Sequence, residues 1–239
     1  MEQQYGLNRT DAQTRQIDAG LRRHMQNVYN RMVAGVLITG VTAWLVSNSP
    51  FLLSLFLGGP QAYLIMFAPL AVVWFGFRPE RMSNNQLMLA FGGICVLYGI
   101  SFATIFLAFT GESIARAFFM ATALYAGLSI FGYVTKKNLD ALGTFAVMGV
   151  IGVLVLSVGT MIAGAFGAST DMMQNVIAGL GLLAFSGVTA WQTQSMKEMY
   201  SPNYSDADNS RMAWSAALTL YISFIAIFQY ILQLVGQRE

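Results

Sequence analysis

The last apolar stretch of the chain, Arg211 to Val235, reads RMAWSAALTLYISFIAIFQYILQLV and constrains the fold more than any other segment. Wound at about 100° per residue, it brings Ser215, Thr219, Ser223, Ala226, Gln229, Tyr230 and Gln233 within roughly a third of the circle. Leu218, Leu220, Phe224, Ile225, Ile227, Phe228, Ile231 and Leu232 take the other faces. The stretch is long enough to cross about 30 Å of hydrocarbon, which takes about 20 residues. Lipid offers no partner to a polar group, so such a stripe should not face it. The expectation is a helix inside a bundle, with its stripe against other helices or a wet cavity. Small and hydroxyl residues also let helices approach closely, so the stripe alone does not separate a packing seam from a solute path.

The rest of the chain agrees with a membrane setting. It has 239 residues, 56% hydrophobic and only 10% charged, which is not the balance of a soluble domain. Apolar runs recur throughout after about residue 28, so one all-α membrane domain over 28–236 is expected. Residues 1–27 form an amphipathic, cytoplasmic leader. Thr10 with Gln13 resembles a capping box that opens a helix. Ile17, Leu21, Met25, Val28 and Met32 then repeat at helical spacing, an arrangement suited to an anionic membrane surface. His24, in the same leader, is expected on a solvated surface. The leader has no hydrophobic core of a secretory signal. The basic residues are dispersed, which argues against nucleic acid as a partner. The single cysteine, Cys95, is expected to be a small core residue.

Seven spans are expected. They cover about 28–46, 62–77, 86–109, 114–134, 141–165, 175–195 and 211–235. Between the first two, Ser49-Pro50 starts and Gly58-Gly59-Pro60 stops a short apolar piece, read as interfacial or re-entrant. Pro69 should kink the second span. Gly92, Gly93 and Gly99, then Gly149 and Gly152, then Gly179 and Gly181 point to close helix packing. With this arrangement Arg9, Arg15, Arg22, Arg23, Arg31, Arg78, Arg81, Lys136, Lys137, Lys197 and Arg211 fall on one side. Only Arg116 and Arg238 of the 13 basic residues fall on the other. The positive-inside rule then puts the N-terminus in the cytoplasm and the C-terminus outside.

Catalysis needs groups that ionise or attack, and the spans are nearly bare of them. Glu112, Asp140 and Asp171 stand at ends or in loops, and no metal-ligand spacing, buried lysine or carboxylate pair occurs. No enzyme, cofactor or metal centre is expected. Arg116 lies about three residues into its span and is expected to snorkel to the interface. The remaining candidates are neutral: Asn175, Ser186, Thr189, Gln192 and Thr193 share a broad face of the sixth span.

Four segments together carry a resemblance over most of the chain from about Leu21. GVTAWQTQSMKEMY, Gly187 to Tyr200, resembles the Gly-x-Thr-x-Tyr-Asp-Thr-Gln segment of the Bax inhibitor-1 (YccA-like) family. ALTLYISFIAIFQYILQLVG, Ala217 to Gly236, is similar to that family's final Leu-Tyr-Leu-Asp-Phe-Ile-Asn helix. GYVTKKNLDALG, Gly132 to Gly143, resembles its cytosolic Gly-Tyr-Thr-Thr-Lys-Arg-Asp-Leu loop, and GFRPERMS, Gly76 to Ser83, its arginine-bearing end of the second span. The resemblance implies a seven-transmembrane-helix bundle with the last helix central. It also implies a proton-sensitive calcium leak or stress-response role and, in bacteria, a partnership with a membrane-bound protease. The implied gate is two facing aspartates, in the sixth and seventh spans, with an arginine in the second.

Only the arginine carries over, as Arg78. Gln192 stands at the first aspartate position and Ser223 at the second, and the acidic residue of the second span is missing around Ala68 and Pro69. A carboxylate pair shares protons and makes a pH switch; glutamine and serine do not. They still offer oxygens to a cation, but calcium sites lean on carboxylate charge, so calcium stays open as a partner. The expectation is a bacterial inner-membrane protein embedded in the bilayer. Its candidate latch or pathway consists of Gln192, Ser223, Arg78, Thr189, Thr193 and Thr219. Either it retains a solute path without the acidic gate, or it conducts nothing and engages other membrane proteins.

Overall fold

Helix follows helix along the described chain, residues 2–167 and 169–237 of a computed structural model, with side chains described from Ala19 onward. The helices are α1 (Glu2–Ser47), α2 (Pro50–Leu57), α3 (Gln61–Ala71), α4 (Asn84–Ala108), α5 (Gly111–Val134), α6 (Asp140–Ala165), α7 (Asp171–Met199) and α8 (Asp206–Val235); a π-helical turn, Val72–Gly76, extends α3. Local chemistry sets several starts. Ser49 caps α2 with Pro50 at its first turn, and Ser205 accepts from the Asp208 amide to open α8. Ser83 and Gln86 form a full capping box, so α4 begins two residues earlier than the apolar run alone indicates.

Six of these helices are long and apolar enough to cross a membrane, and the bent pair α2 with α3 and its π-helical turn makes up to seven. The bend, 77°, falls at Gly58-Gly59-Pro60 and not at Pro69. Pro69 acts more locally. Its ring nitrogen cannot donate to Ile65, and the Ser101 hydroxyl of α4 lies 3.2 Å from that freed carbonyl. Ser101 has one proton, and the Leu97 carbonyl competes for it at 3.0 Å.

The leader and the first span form one helix. α1 runs unbroken from Glu2 through the first span, so it does not open at Thr10; the side chains of Thr10, Gln13, Arg15 and Ile17 lie outside the described residues. Met25, Val28 and Met32 are buried as their spacing implied. His24 is buried too, against the expectation of a solvated surface: its ring lies 5.6 Å from that of Tyr200, and its Nε2 has no hydrogen-bond partner among the described residues. Tyr200 explains this, because the end of α7 folds over α1 at Gly20 and His24.

Register between helices follows from a few contacts. Arg31 of α1 bonds Ser210 at the start of α8, and Thr39 bonds Tyr221 further on, so α1 and α8 run in the same direction. Gly35 lies against Phe91 and Cys95, and Gly99 against Thr39 and Thr42, so α1 and α4 are parallel as well. At the far end the Gln237 amide donates to Ser113 (3.0 Å), pinning the end of the chain to the start of α5.

α8 is the most enclosed helix. Within its apolar window 56% of positions are buried, against 11–39% for the others, and it packs on α1, α4, α5 and α7. Its buried face is aromatic rather than polar: Trp214, Tyr221, Phe224 and Phe228 meet Phe91, Tyr98, Phe102, Phe118 and Tyr125, mostly edge to face. Between proteinaceous faces, dispersion contacts reward shape-matched rings more than scattered hydroxyls. Cys95 is fully buried in this core.

The glycines divide. Gly99, Gly149 and Gly181 have close neighbours; Gly92, Gly93, Gly152 and Gly179 face open space, so they do not mediate the packing expected of them. α6, which carries Gly152, is the least buried of the long helices, and this face of it meets no neighbour.

Candidate functional site

The polar stripe of α8 lies along its more accessible side, next to α7. Thr219 and Gln229 are exposed, which corrects the expectation of a wholly enclosed stripe. Its two ends open on cavities. At the end where α8 begins, a cleft of about 890 Å³ is lined by Arg78, Arg81, Tyr204, Arg211, Met212 and Ser215, among others. At the opposite end, Ser157, Thr160, Thr170, Gln174, Tyr230 and Gln233 border a second cavity of about 410 Å³. Gln233 there donates to the Gln174 carbonyl at 3.2 Å.

Between the two cavities the helices touch through Gln192 and Ser223. The Ser223 hydroxyl, 1% exposed, donates to Oε1 of Gln192 at 2.9 Å. About two turns further out, the Tyr230 ring packs on Gly181 and 5.9 Å from Phe185, closing the seam. A Cβ at position 181 would sit inside that ring, so the absence of a side chain on α7 is what lets Tyr230 lie flat there.

The other candidates fall in different places. Thr189 is buried and returns its hydroxyl to the Phe185 carbonyl of its own helix (2.7 Å). Thr193 turns from the seam towards α5, where its Cβ faces Gly132; its Oγ1 is buried without a partner among the described residues. Thr219 bonds only the Ser215 carbonyl (3.0 Å). Arg78 is exposed and lines the basic cleft. That cleft reaches α8 at Ser215, two turns or about 12 Å along the helix from Ser223. Gln192 and Ser223 are therefore brought together, and Arg78 is not brought to them. Arg116 pairs with Glu112 on its own helix at 2.6 Å, both side chains well exposed, as an interfacial arginine should be.

Two neutral oxygens make a poor cation site, since calcium takes about six to eight oxygens and depends on carboxylates. Among the described residues no three histidine, cysteine, aspartate or glutamate side chains gather. The pair has no proton to exchange near neutrality. What it does is bridge α7 and α8 at the depth where a charged pair would repel or titrate.

Two arrangements escaped the reading of the sequence. The first explains the motif segments. Trp191, Gln194 and Lys197, spaced three apart on α7, clamp the loop between α5 and α6. Gln194 accepts from the Leu139 amide (2.8 Å) and donates to the Lys137 carbonyl (2.9 Å). Trp191 donates to Asp140 (3.0 Å) and its indole covers Gly143; Lys197 donates to the Tyr133 carbonyl (2.6 Å). Gln194→Ala should cost about 1–2 kcal/mol, because it strips an amide and a carbonyl of partners. It should also speed tryptic cleavage at Lys136 and Lys137 in the folded protein. An unchanged cleavage rate would mean that Gln194 does not hold the loop. The second arrangement is Arg31, whose guanidinium bonds the Ser210 carbonyl (2.8 Å) and hydroxyl (2.9 Å) and lies 4.1 Å over Trp214, fixing the start of α8 to α1.

Comparison with known proteins gives these features a context. Residues 21–239 match the family described as inhibitor of apoptosis-promoting Bax1. A protein of Caulobacter vibrioides is 35% identical, over 92% of this chain and 90% of its own length. One of Rickettsia prowazekii is 33% identical, over 96% of each. The inner membrane protein YbhL of Escherichia coli K12 is 30% identical, over 92% of this chain and 94% of its own length. A match across nearly the whole chain, on an all-helical fold whose motif segments clamp one another, leads to one conclusion: this chain is a multi-pass membrane protein of the Bax inhibitor-1 family.

Proposed function

We propose that this chain is a non-enzymatic inner-membrane protein whose α7–α8 seam is a solute path closed by a neutral latch, Gln192 with Ser223. The 2.9 Å bond between them carries the reading. It lies between two polar cavities, at the positions where the resemblance implies a titrating aspartate pair. Intramembrane hydrogen bonds of this kind average only about 0.6 kcal/mol in measured cycles, so the latch tunes the seam and does not hold the bundle together. Flux of calcium or another small solute from liposomes should be nearly flat between about pH 6 and 8, because neither side chain titrates there. A steep pH-gated calcium leak by the parent protein would sink this reading, and buried His24 would become the first residue to replace. A second reading is a non-conducting partner of other membrane proteins, such as a quality-control protease. The broad apolar face of α6, the least buried of the long helices, favours it. A seam that passes no solute at any pH would leave that reading standing.

The same proposal has seven crossings, with α8 central. The parallel courses of α1 and α4 support the count, since the chain must return across the membrane between Ser47 and Asn84, through α3 and its π-helical turn. The basic residues favour a cytoplasmic N-terminus, and the name of the Escherichia coli relative favours an inner membrane. A reporter fused after Glu239 should then be active outside the cytoplasm and one inserted at Lys137 inside it. A cytoplasmic C-terminal reporter would remove the seven-crossing arrangement.

A further inference from the structure

The cleft at the basic end of the bundle has a chemistry that the latch does not use. Arg78, Arg81 and Arg211 line its wall, and Glu80 and Asp208 are the carboxylates beside them. Asp208 is already engaged, accepting from the Ser205 hydroxyl at 2.7 Å and lying 3.5 Å from Arg211. Among the described residues, the guanidinium groups of Arg78 and Arg81 have no hydrogen-bond or carboxylate partner. Nε of Arg211 is buried and also without one. A buried donor left unpaired is costly; here that one nitrogen of Arg211 shares a cleft of about 890 Å³ with the two exposed, unpaired guanidinium groups of Arg78 and Arg81, an arrangement suited to a ligand that accepts.

Its setting narrows the ligand. Trp74 and Phe75, just before Arg78, are 78% and 73% exposed. An exposed tryptophan near the end of a membrane helix is characteristic of the headgroup level. Phe77, Met199 and Met212 add an apolar flank to the charged wall. Guanidinium forks match the tetrahedral oxygens of phosphate in twos, which an isolated ammonium does not. We propose that this cleft binds a phosphate group, supplied by the phosphodiester of an anionic lipid headgroup or by free phosphate, with Arg78, Arg81 and Arg211 as its donors. The site stands apart from the reading of the latch and does not depend on whether the seam conducts.

The test uses the purified full-length protein in nanodiscs of phosphatidylcholine, with either inorganic phosphate added to the buffer or phosphatidylglycerol added to the bilayer. The readouts are the thermal unfolding midpoint and the lipid retained on the protein by native mass spectrometry. Arg78→Gln with Arg81→Gln should weaken binding about tenfold, the loss of charge-assisted bonds to one group. Lys136→Gln with Lys137→Gln removes the same charge from the same end of the bundle, outside the cleft, and should bind as the parent does. If the double arginine variant does not purify, Arg81→Gln alone, a change at an exposed residue, carries the comparison. A midpoint raised by phosphate and lost with the arginines supports the site with free phosphate as ligand. Retained phosphatidylglycerol lost in the same variant supports it with the headgroup. Equal loss in the lysine control, which would mean bulk surface charge, or binding of neither probe, overturns the proposal.

Discussion

Gly132→Ala is expected to lower the thermal stability of the protein in detergent by about 1–3 kcal/mol, the usual range for overpacking. A Cβ at that position would run into the Ala190 carbonyl of α7, with the Ala190 carbonyl carbon at 3.0 Å and the Thr193 Cβ at 3.1 Å behind it. Those are backbone atoms and a fully buried side chain, so α5 and α7 have to separate before a methyl group fits. The opposing gain in helix propensity is about 1 kcal/mol, too little to reverse the sign while the overlap stands. Gly152→Ala is the matched control, with nothing within 4 Å of its new methyl group. It should be neutral or slightly stabilising, and even Gly152→Leu should be tolerated. Equal stability of Gly132→Ala and the parent would show that α5 and α7 do not meet there.

Converting the latch to acids should have the larger functional effect. In Gln192→Asp with Ser223→Asp, two carboxyl groups would occupy sites now bridged by a 2.9 Å bond. Two carboxylates that close cannot both ionise easily, so one of the pair's apparent pKa values rises well above the usual carboxylate range. Below it the shared proton keeps the seam bonded and closed. Above it the like charges push α7 and α8 apart and attract a divalent cation. Calcium release from loaded liposomes should therefore rise with pH, on the order of tenfold over about two pH units, while the parent stays flat. Arg78 would not neutralise the new pair without moving, because its cleft reaches α8 about 12 Å from Ser223. A double variant as insensitive to pH as the parent would mean that the solute, if any passes, does not use this seam.

The contrast between Gly132 and Gly152 shows how far a sequence reads in a membrane protein. Both are glycines in apolar helices, and small residues are where such helices tend to meet. Nothing local separates the one that faces Ala190 from the one that faces open space, because that depends on how α5 and α6 are rotated. The same holds for α8. Its polar stripe is plain in the sequence, but whether stripe or rings would turn inward was a question of partners: Phe91, Phe102, Phe118 and Tyr125 on α4 and α5 meet the rings. His24 was expected on a solvated surface, and only Tyr200, far away in sequence, decides its burial.

Properties with a short range were determined by the sequence alone. Span lengths, the break at Gly58-Gly59-Pro60 and the segregation of arginine and lysine follow from hydropathy, backbone chemistry and charge, each of which acts within a few residues. The family followed from four motif segments, and the resemblance they carry already put glutamine and serine, Gln192 and Ser223, at the two positions where it implies aspartates. Tertiary structure decided what those residues touch: that Gln192 and Ser223 bond directly, that Thr193 turns to α5 and Arg78 to a separate cleft, and that Trp191, Gln194 and Lys197 clamp a loop more than fifty residues away. The physical reason is that side-chain direction on a helix is fixed by the rotation of the whole helix. That rotation is set by the sum of its contacts with every neighbour.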